Sequence, residues 1–274
     1  MEHLYIYPHW GSAHLEWGTF LTRVKEAGYD GVELGIPSEE AERRDVLDIM
    51  ADLDLKVIAQ HYHTGESDFR KHKHSLERHL YQFSASEPLL INSHTGKDYF
   101  SFRENAELLT LAHRIEEETG VPVAHETHRS RFAFAAHVCY PFLKEFPFLK
   151  LTADFSHWCS VAESMLEDQK EAVQLAMEHT IHVHARVGSA QSAQVINPET
   201  PLFSSEKNQF LSWWKEIAER ASKKGLNQLG FVPEYGPAPY QQVHPQTGEV
   251  LANQWEVNQF VKRELEHVLN SISS

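Results

Sequence analysis

The segment Val123-Ala124-His125-Glu126 is a short apolar run that ends on a carboxylate, and the same pattern returns three times further along the chain. The other three segments are LTAD at 151–154, IHVH at 181–184 and FVPE at 231–234. Each is a strand-like run that stops on a residue able to bind a hard metal ion. Acids and a histidine at the ends of four successive strands predict a metal site at one rim of a parallel sheet.

Strand-like and helix-like segments alternate along the whole chain, which is typical of a parallel α/β fold. The predicted strands cover residues 4–7, 31–36, 56–63, 89–94, 122–126, 149–154, 180–184 and 229–234. The 274 residues are close to the roughly 250 of one (β/α)8 barrel, although two smaller domains would also fit this length. We therefore predict a single (β/α)8 TIM barrel domain over residues 1–274, with the active site at the C-terminal ends of the strands.

Several helix boundaries have sequence signals. Ser38 is a candidate N-cap for a helix that continues to residue 53. Ser101 and Glu104 form a capping-box pattern that opens a helix, and Gly120 closes that helix. Another helix is predicted over residues 131–145, and the long connections at 187–203 and 237–251 are expected to help build the active site.

The composition limits the classes of function. The formal net charge is −14, which argues against a nucleic-acid-binding protein, because such proteins usually carry a basic surface. The two cysteines, Cys139 and Cys159, form no disulfide framework or zinc-type spacing. The start of the chain lacks a signal-peptide pattern, and no apolar run reaches the length of a membrane span. These features predict a cytoplasmic protein.

Histidine is unusually frequent, with 19 residues in the chain. His72, His74 and His79 lie in a polar stretch and are predicted to be exposed. Eight others follow or end predicted strands: His9, His61, His63, His94, His128, His157, His182 and His184. A single histidine of this kind is ordinarily a hydrogen-bonded core or rim residue, but their concentration at strand ends favours a functional site.

The acids of the four opening segments would converge at one end of the barrel. Glu126, Asp154 and Glu234 are each on a different strand, and three such carboxylates would repel one another without a cation. His182 and His184 are two residues apart on one strand, so both point to the same face. His184 lies nearer the rim and is the predicted ligand. Oxygen ligands suit Mn²⁺ or Mg²⁺, and an imidazole shifts the preference towards Mn²⁺, Co²⁺ or Zn²⁺.

At this point the sequence resembles the xylose isomerase-like TIM barrel superfamily, which includes sugar phosphate isomerases and epimerases. The resemblance extends over essentially the whole chain. It rests on AGYDGVE at 27–33, HETH at 125–128, ADFSH at 153–157, HVH at 182–184 and PE at 233–234. The group includes ketose 3-epimerases, hydroxypyruvate isomerase, inosose dehydratase and endonuclease IV.

The resemblance implies roles for individual residues. One divalent metal ion would be held by Glu126, Asp154, His184 and Glu234, and the two glutamates would also form the catalytic acid–base pair. His157 stands where the epimerases have a histidine that contacts the substrate. We also expect substrate contacts from other residues at or near the strand ends, namely Glu33, His61, His94, His128, His182 and Arg186.

The chain departs from the ketose 3-epimerase pattern at two positions. Phe132 stands where that branch has an acid, and Ala190 stands where it has an arginine. In their place the chain offers Arg129, Arg131 and Arg186, and an arginine at the rim of a site suits a carboxylate or a phosphate. These departures weaken the expectation that the protein is a standard ketohexose epimerase.

The expected chemistry is a metal-stabilised enediolate, with one glutamate removing a proton and the other returning it. Return at the same carbon is epimerisation, return at the neighbouring carbon is isomerisation, and loss of a hydroxyl is dehydration. An inosose-type dehydratase, an endonuclease IV-like metal phosphodiesterase and a non-catalytic sugar-binding barrel remain alternatives. The expected partner is a small carbohydrate rather than nucleic acid or a membrane, and homo-oligomer formation stays open.

Overall fold

A computed structural model describes residues 1–270 and contains eight parallel strands that close into a barrel. Neighbouring strands pair in chain order, and β8 returns to β1 through the pairs Glu2↔Gln228 to Tyr5↔Phe231. This confirms the predicted (β/α)8 TIM barrel. The strands are β1 (Glu2–Pro8), β2 (Gly31–Leu34), β3 (Lys56–His61), β4 (Leu90–Ser93), β5 (Val123–Glu126), β6 (Leu151–Ala153), β7 (Thr180–Ala185) and β8 (Gln228–Pro233).

Helices surround the barrel and cover the outward faces of the strands. They are α1 (Trp17–Glu26), α2 (Glu40–Asp52), α3 (Phe69–Ser84), α4 (Phe102–Thr119), α5 (Ala136–Glu145), α6 (Phe155–Ala162), α7 (Lys170–His179), α8 (Ser204–Lys223) and α9 (Gln254–Asn270). None of the helices in residues 1–270 combines the length and apolar character needed to cross a membrane.

The side chains inside the barrel are apolar in one layer and polar in the layer nearer the C-terminal ends of the strands. Leu4, Ile6, Ile58, Leu90, Ala124 and Val232 form a small buried cluster within the barrel. Towards the C-terminal ends of the strands the inward side chains become polar, with Glu33, Asn92, Glu126, His182 and His184 all buried. This change of character places ionisable groups where the long loops can enclose them.

The predicted helix signals hold in one case and fail in another. Ser101 and Glu104 form a complete capping box at the start of α4, and Gly120 ends that helix with a left-handed backbone. The assignment of Ser38 as an N-cap is wrong. The carboxylate of Glu39 accepts the Glu42 amide at 2.7 Å instead, so α2 begins one residue later.

Three further features differ from what the sequence predicts. Residues 131–135 are not helical, because α5 begins only at Ala136. The sequence reading also missed α6, which follows β6 immediately and is apolar along most of its length. His72 was expected at the surface but is buried, where its Nδ1 lies 3.0 Å from the Glu66 carbonyl oxygen.

Candidate active site

A cavity of about 500 Å³ opens at the C-terminal ends of the strands. Two acids, Glu126 at the end of β5 and Glu234 just after β8, line it from two sides. The remaining lining combines charged, aromatic and polar side chains, and its positive charges come from Arg131 and Arg186. The aromatic part consists of Trp10, Tyr62 and Tyr240.

The four predicted metal ligands are brought together below this cavity. Glu126, Asp154, His184 and Glu234 are all at least 98% buried. His184 Nδ1 lies 2.8 Å from Glu234 Oε2 and 3.6 Å from Glu126 Oε2. Ligand atoms of Asp154, His184 and Glu234 all lie within 4.8 Å of one another.

Glu33 fixes the two histidines of β7 from below. Its Oε1 lies 2.9 Å from His184 Nε2, and its Oε2 lies 2.8 Å from His182 Nε2. Burial alone would raise the pKa of Glu33, but the charge of His184 and the hydrogen bonds from both rings outweigh it and hold the pKa well below its usual range. Glu33 therefore orients His184 so that Nδ1 faces the acids, as a carboxylate commonly does for a metal-binding histidine.

A glycine makes room for the deeper of these histidines. A Cβ atom at Gly230, on the neighbouring strand β8, would lie 2.6 Å from His182 Nδ1. Any larger residue would displace the His182 ring and disturb its hydrogen bond to Glu33. The absence of a side chain at Gly230 therefore allows His182 to hold its position against Glu33.

Asn92 joins the acids across the barrel. Its Nδ2 donates to Glu33 Oε1 at 2.9 Å and to Glu126 Oε2 at 3.0 Å. Asn92 is fully buried on β4, two residues before His94. Sequence reasoning missed it, although a polar residue on the inward face of a predicted strand was the available signal.

Asp154 has two functions at the end of β6. Its Oδ1 accepts the amide of Ser156 at 3.0 Å and so caps α6, while Oδ2 has no hydrogen-bond partner within residues 1–270. Burial raises the pKa of Asp154, and the nearby Arg186 guanidinium opposes that rise. One carboxylate oxygen thus caps the helix, while the other faces the Arg186 guanidinium and belongs to the group that Asp154 forms with His184 and Glu234.

Arg186 lies between two of the predicted metal ligands. Its Nη2 donates to Glu234 Oε2 at 2.6 Å, and its Nε lies 3.2 Å from Asp154 Oδ2. The side chain is buried, and its guanidinium also faces the rings of Tyr240 and Trp10 at 4.7 and 5.4 Å. Arg186 lines the cavity, but its charge is already balanced by acids of the same chain.

Three histidines form a stacked group beside Glu126. His94 Nε2 lies 2.9 Å from Glu126 Oε2, and His94 stacks on His128 with ring centroids 4.5 Å apart. His128 in turn packs on His157 at 4.0 Å. Burial raises the pKa of Glu126, but the charges of His94 and His184 outweigh it and hold the pKa well below normal. Glu126 is therefore a carboxylate at neutral pH.

The residues predicted to bind substrate divide into two groups. His94, His128 and Arg186 line the cavity. The others are buried beside or beneath it: Glu33, His61, His157 and His182. His61, for example, has both ring nitrogens within 2.9 Å of the hydroxyls of Ser93 and Thr64. These four residues are placed to support the site rather than to touch a ligand in the cavity.

The comparisons with known proteins identify the fold. No family model matches the sequence, and no curated protein matches it. Among solved structures, the barrel is similar to D-psicose 3-epimerase from Clostridium cellulolyticum, with a TM-score of 0.60 and 15% identity over 98% of this chain and 99% of that one. It is also similar to a probable 3-DHS dehydratase from Bacillus anthracis, with a TM-score of 0.62 and 17% identity over 97% and 99% of the chains.

Endonuclease IV from Thermus thermophilus matches with a TM-score of 0.62 and 11% identity, over 98% of this chain and 99% of that one. These solved structures share the (β/α)8 barrel fold of this chain. At these identities the likeness concerns architecture alone, so the reaction must be argued from the site.

The donor set at the C-terminal ends of the strands of this barrel fits one divalent cation. Asp154 Oδ2 and His184 Nδ1 are buried and face charged groups of the same site, since Arg186 Nε lies 3.2 Å from the first and Glu234 Oε2 lies 2.8 Å from the second. Two ligands that bind one ion at right angles, at about 2.1 Å, lie about 3 Å apart. The 2.8 Å between His184 Nδ1 and Glu234 Oε2 matches that separation. Three carboxylates and one imidazole suit Mn²⁺, Mg²⁺, Co²⁺ or Zn²⁺.

Proposed function

We propose that the protein is a divalent-metal-dependent isomerase or epimerase that acts on a sugar, sugar acid, sugar phosphate or cyclitol. One observation carries this proposal. Glu126 and Glu234 line the same cavity from β5 and β8, and both approach the same nitrogen of His184. Two carboxylates on different sides of one small ligand suit the removal of a proton on one face and its return on the other.

The metal ion would be held by Glu126, Asp154, His184 and Glu234. When bound, it supplies a Lewis acid for the carbonyl and hydroxyl oxygens of a ligand. The chain's own residues do the rest. Glu126, which is ionised, is ready to accept a proton at a carboxylate oxygen, and His94 orients it through the 2.9 Å contact. Arg186 orients Glu234 through its donated hydrogen bond.

The first experiment tests the ligand set. Wild-type protein incubated with Mn²⁺ and desalted should carry about one equivalent of metal by elemental analysis, and Asp154→Ala should carry little. Asp68→Ala is the matched control, because Asp68 also caps a helix through its carboxylate but lies at the surface. Full metal retention in Asp154→Ala and in His184→Ala contradicts the assignment.

The second part of the test concerns the reaction. Ketoses, inososes and sugar acids are incubated in deuterium oxide with and without Mn²⁺, and solvent deuterium in the recovered sugar is measured. Incorporation of deuterium at a carbon next to the carbonyl supports the two-glutamate proton transfer if its rate falls by orders of magnitude in Glu234→Gln. Near-normal exchange in Glu234→Gln contradicts it.

A metal-dependent phosphodiesterase is the second candidate, favoured by one specific observation. Glu126 belongs both to a group with His94 and His128 and to a group with Asp154 and His157, so the site could bridge more than one ion. The net charge of −14 opposes binding of nucleic acid. Metal stoichiometry separates the candidates, because one ion per chain fits the isomerase and three fit the nuclease.

A further inference from the structure

The cavity contains two arginines with different electrostatic surroundings. Arg186 is bound by Glu234 and approached by Asp154, so the chain itself balances its charge. Arg131, on the loop after β5, forms no ion pair with any acid in residues 1–270. Its single side-chain hydrogen bond is donated by Nη1 to the Thr64 carbonyl at 3.3 Å.

Arg131 is nevertheless held in place and partly buried. Its backbone amide donates to the His128 carbonyl at 3.2 Å, and the next residue, Phe132, donates to the Thr95 carbonyl at 3.2 Å. The Nε atom is buried and lacks a hydrogen-bond partner among the described residues. Burial lowers the pKa of Arg131, although the charges of Glu126 and Asp98 partly oppose that fall. Burial and the charge of Arg131 together lower the pKa of Lys97. A cation held in this way is costly unless a ligand pairs with it.

We propose that Arg131 is the anchor for an anionic group of the substrate, a carboxylate or a phosphate, within this cavity. The guanidinium offers a planar fork of donors that matches either oxyanion. The inference rests on the proposed isomerase function and narrows its substrate class.

The size of the cavity limits the ligand. A volume of about 500 Å³ corresponds to a sphere about 10 Å across, and Glu126, Glu234 and Arg131 all line it. One small molecule in this cavity can therefore place an anionic group at Arg131 and its other oxygens near the two glutamates. A sugar acid or sugar phosphate of about six carbons satisfies both requirements, whereas a neutral sugar leaves the Arg131 charge unpaired.

Three ligands that differ only at carbon 6 test this inference: D-fructose, D-fructuronate and D-fructose 6-phosphate. Their affinities for the protein are measured by isothermal titration calorimetry in the presence of Mn²⁺, whether or not the protein retains the ion. At least one of the two anions should bind about tenfold or more tightly than D-fructose. Arg131→Met should lower the affinity for that anion about 10- to 100-fold, the range for a lost charge-assisted hydrogen bond. It should leave the affinity for D-fructose nearly unchanged. The two anionic arms distinguish a carboxylate site from a phosphate site.

Arg129→Met is the matched control. Arg129 lies on the same loop and carries the same charge, but it is exposed and does not line the cavity. It packs on the ring of Tyr240, which does line it. It should change the affinity for the anions less than about threefold at moderate salt, because exposed charges are screened. Arg131→Lys keeps the charge without the fork and should show an intermediate loss, with thermal unfolding confirming that each variant is folded.

The outcomes separate this inference from the proposed function. Three results would contradict the anion anchor. The three ligands could bind with equal affinity, none of them could bind, or Arg129→Met and Arg131→Met could lose the same amount of affinity for the anions. Elemental analysis of the same samples reports on the metal site independently. If the protein binds metal but shows no preference for the anions, the isomerase proposal stands and the anion anchor does not. If the protein shows an Arg131-dependent preference but binds no metal, the anion anchor stands and the isomerase proposal does not.

Discussion

At the residue scale, Arg186 shows how a buried charge is tied to its neighbours. Its guanidinium pairs with Asp154 and Glu234 in a region from which solvent is excluded. Burial lowers the pKa of Arg186, but the charges of Glu234 and Asp154 outweigh it and raise the pKa above its usual value. Any divalent ion held by these two acids shares them with Arg186. The arginine is therefore expected to stabilise the metal-free protein and to weaken its affinity for metal.

Replacing Arg186 with methionine tests this expectation. In the presence of a chelator, Arg186→Met should lower the free energy of unfolding by about 3–5 kcal/mol, since the acids lose their buried partner. Arg114→Met is the control, because Arg114 also contacts two acids, Glu77 and Glu118, but is half exposed. It should cost about 1 kcal/mol or less.

Urea unfolding measures both variants, and a Mn²⁺ titration should show tighter binding to Arg186→Met than to wild type. Weaker Mn²⁺ binding to Arg186→Met, in protein shown to be folded, would mean that Arg186 supports the ion instead of competing with it.

At the element scale, the ends of the helices decide where the functional groups stand. Asp154 ends β6 and caps α6, which places its second oxygen towards His184 and Arg186. Away from the site, the same kind of cap has only a structural role. Ser101 accepts the Glu104 amide, and Glu104 accepts the Ser101 amide at 2.9 Å, so two unpaired donors at the start of α4 are satisfied.

Ser101→Ala should therefore lower the free energy of unfolding by about 1 kcal/mol, the usual cost of losing an N-cap. Ser38→Ala serves as the comparison, because the sequence also indicates a cap there but Glu39 provides it. That variant should stay within about 0.5 kcal/mol of wild type. Urea unfolding of both proteins measures the difference, and equal costs would show that Ser38 contributes to α2 after all.

At the scale of the whole molecule, buried neutral histidines link stability to pH. Burial lowers the pKa of His125 and His128 to about 3 and that of His9 to about 4. Burial also lowers the pKa of His61 and His157 well below the usual value. The unfolded chain takes up protons near pH 6.5 while the folded protein does not, so these groups favour unfolding as the pH falls.

The sign and window of the effect follow from these shifts. In the metal-free protein, each such histidine should leave the free energy of unfolding unchanged at pH values above its ordinary pKa of 6.5. Below that pH it should cost about 1.4 kcal/mol per pH unit until its folded-state pKa is reached. His184 acts in the opposite direction. Burial lowers its pKa, but Glu234, Glu33 and Glu126 outweigh burial and raise it well above normal, so its contribution is lost as the pH rises.

His125→Asn provides the measurement. Urea unfolding with a chelator at pH 6.5, 5.5 and 4.5 should show a smaller fall in stability for this variant than for wild type, by about 1 kcal/mol per pH unit. His74→Asn, at an exposed position of α3, should leave the slope unchanged. Parallel slopes for wild type and His125→Asn would show that His125 is not kept neutral by the fold.

The sequence by itself determined the barrel and the acids at its rim. The alternation of strands and helices and the capping box at Ser101 are local patterns, which neighbouring residues set almost alone. Because parallel strands end at the same rim, Glu126, Asp154, His184 and Glu234 could be expected to meet. Whether the chain forms a single domain over residues 1–274, and whether these side chains bind a metal, stay predictions.

Only the tertiary structure decided how those groups face one another. Glu33 reaches His184 although they are 151 residues apart, and the contact depends on how β2 and β7 are placed across a closed barrel. The same holds for the pairing of Arg186 with Glu234 and for the absence of such a pair at Arg131 in residues 1–270. Register and closure are collective properties of eight strands, so no local pattern could assign these partners.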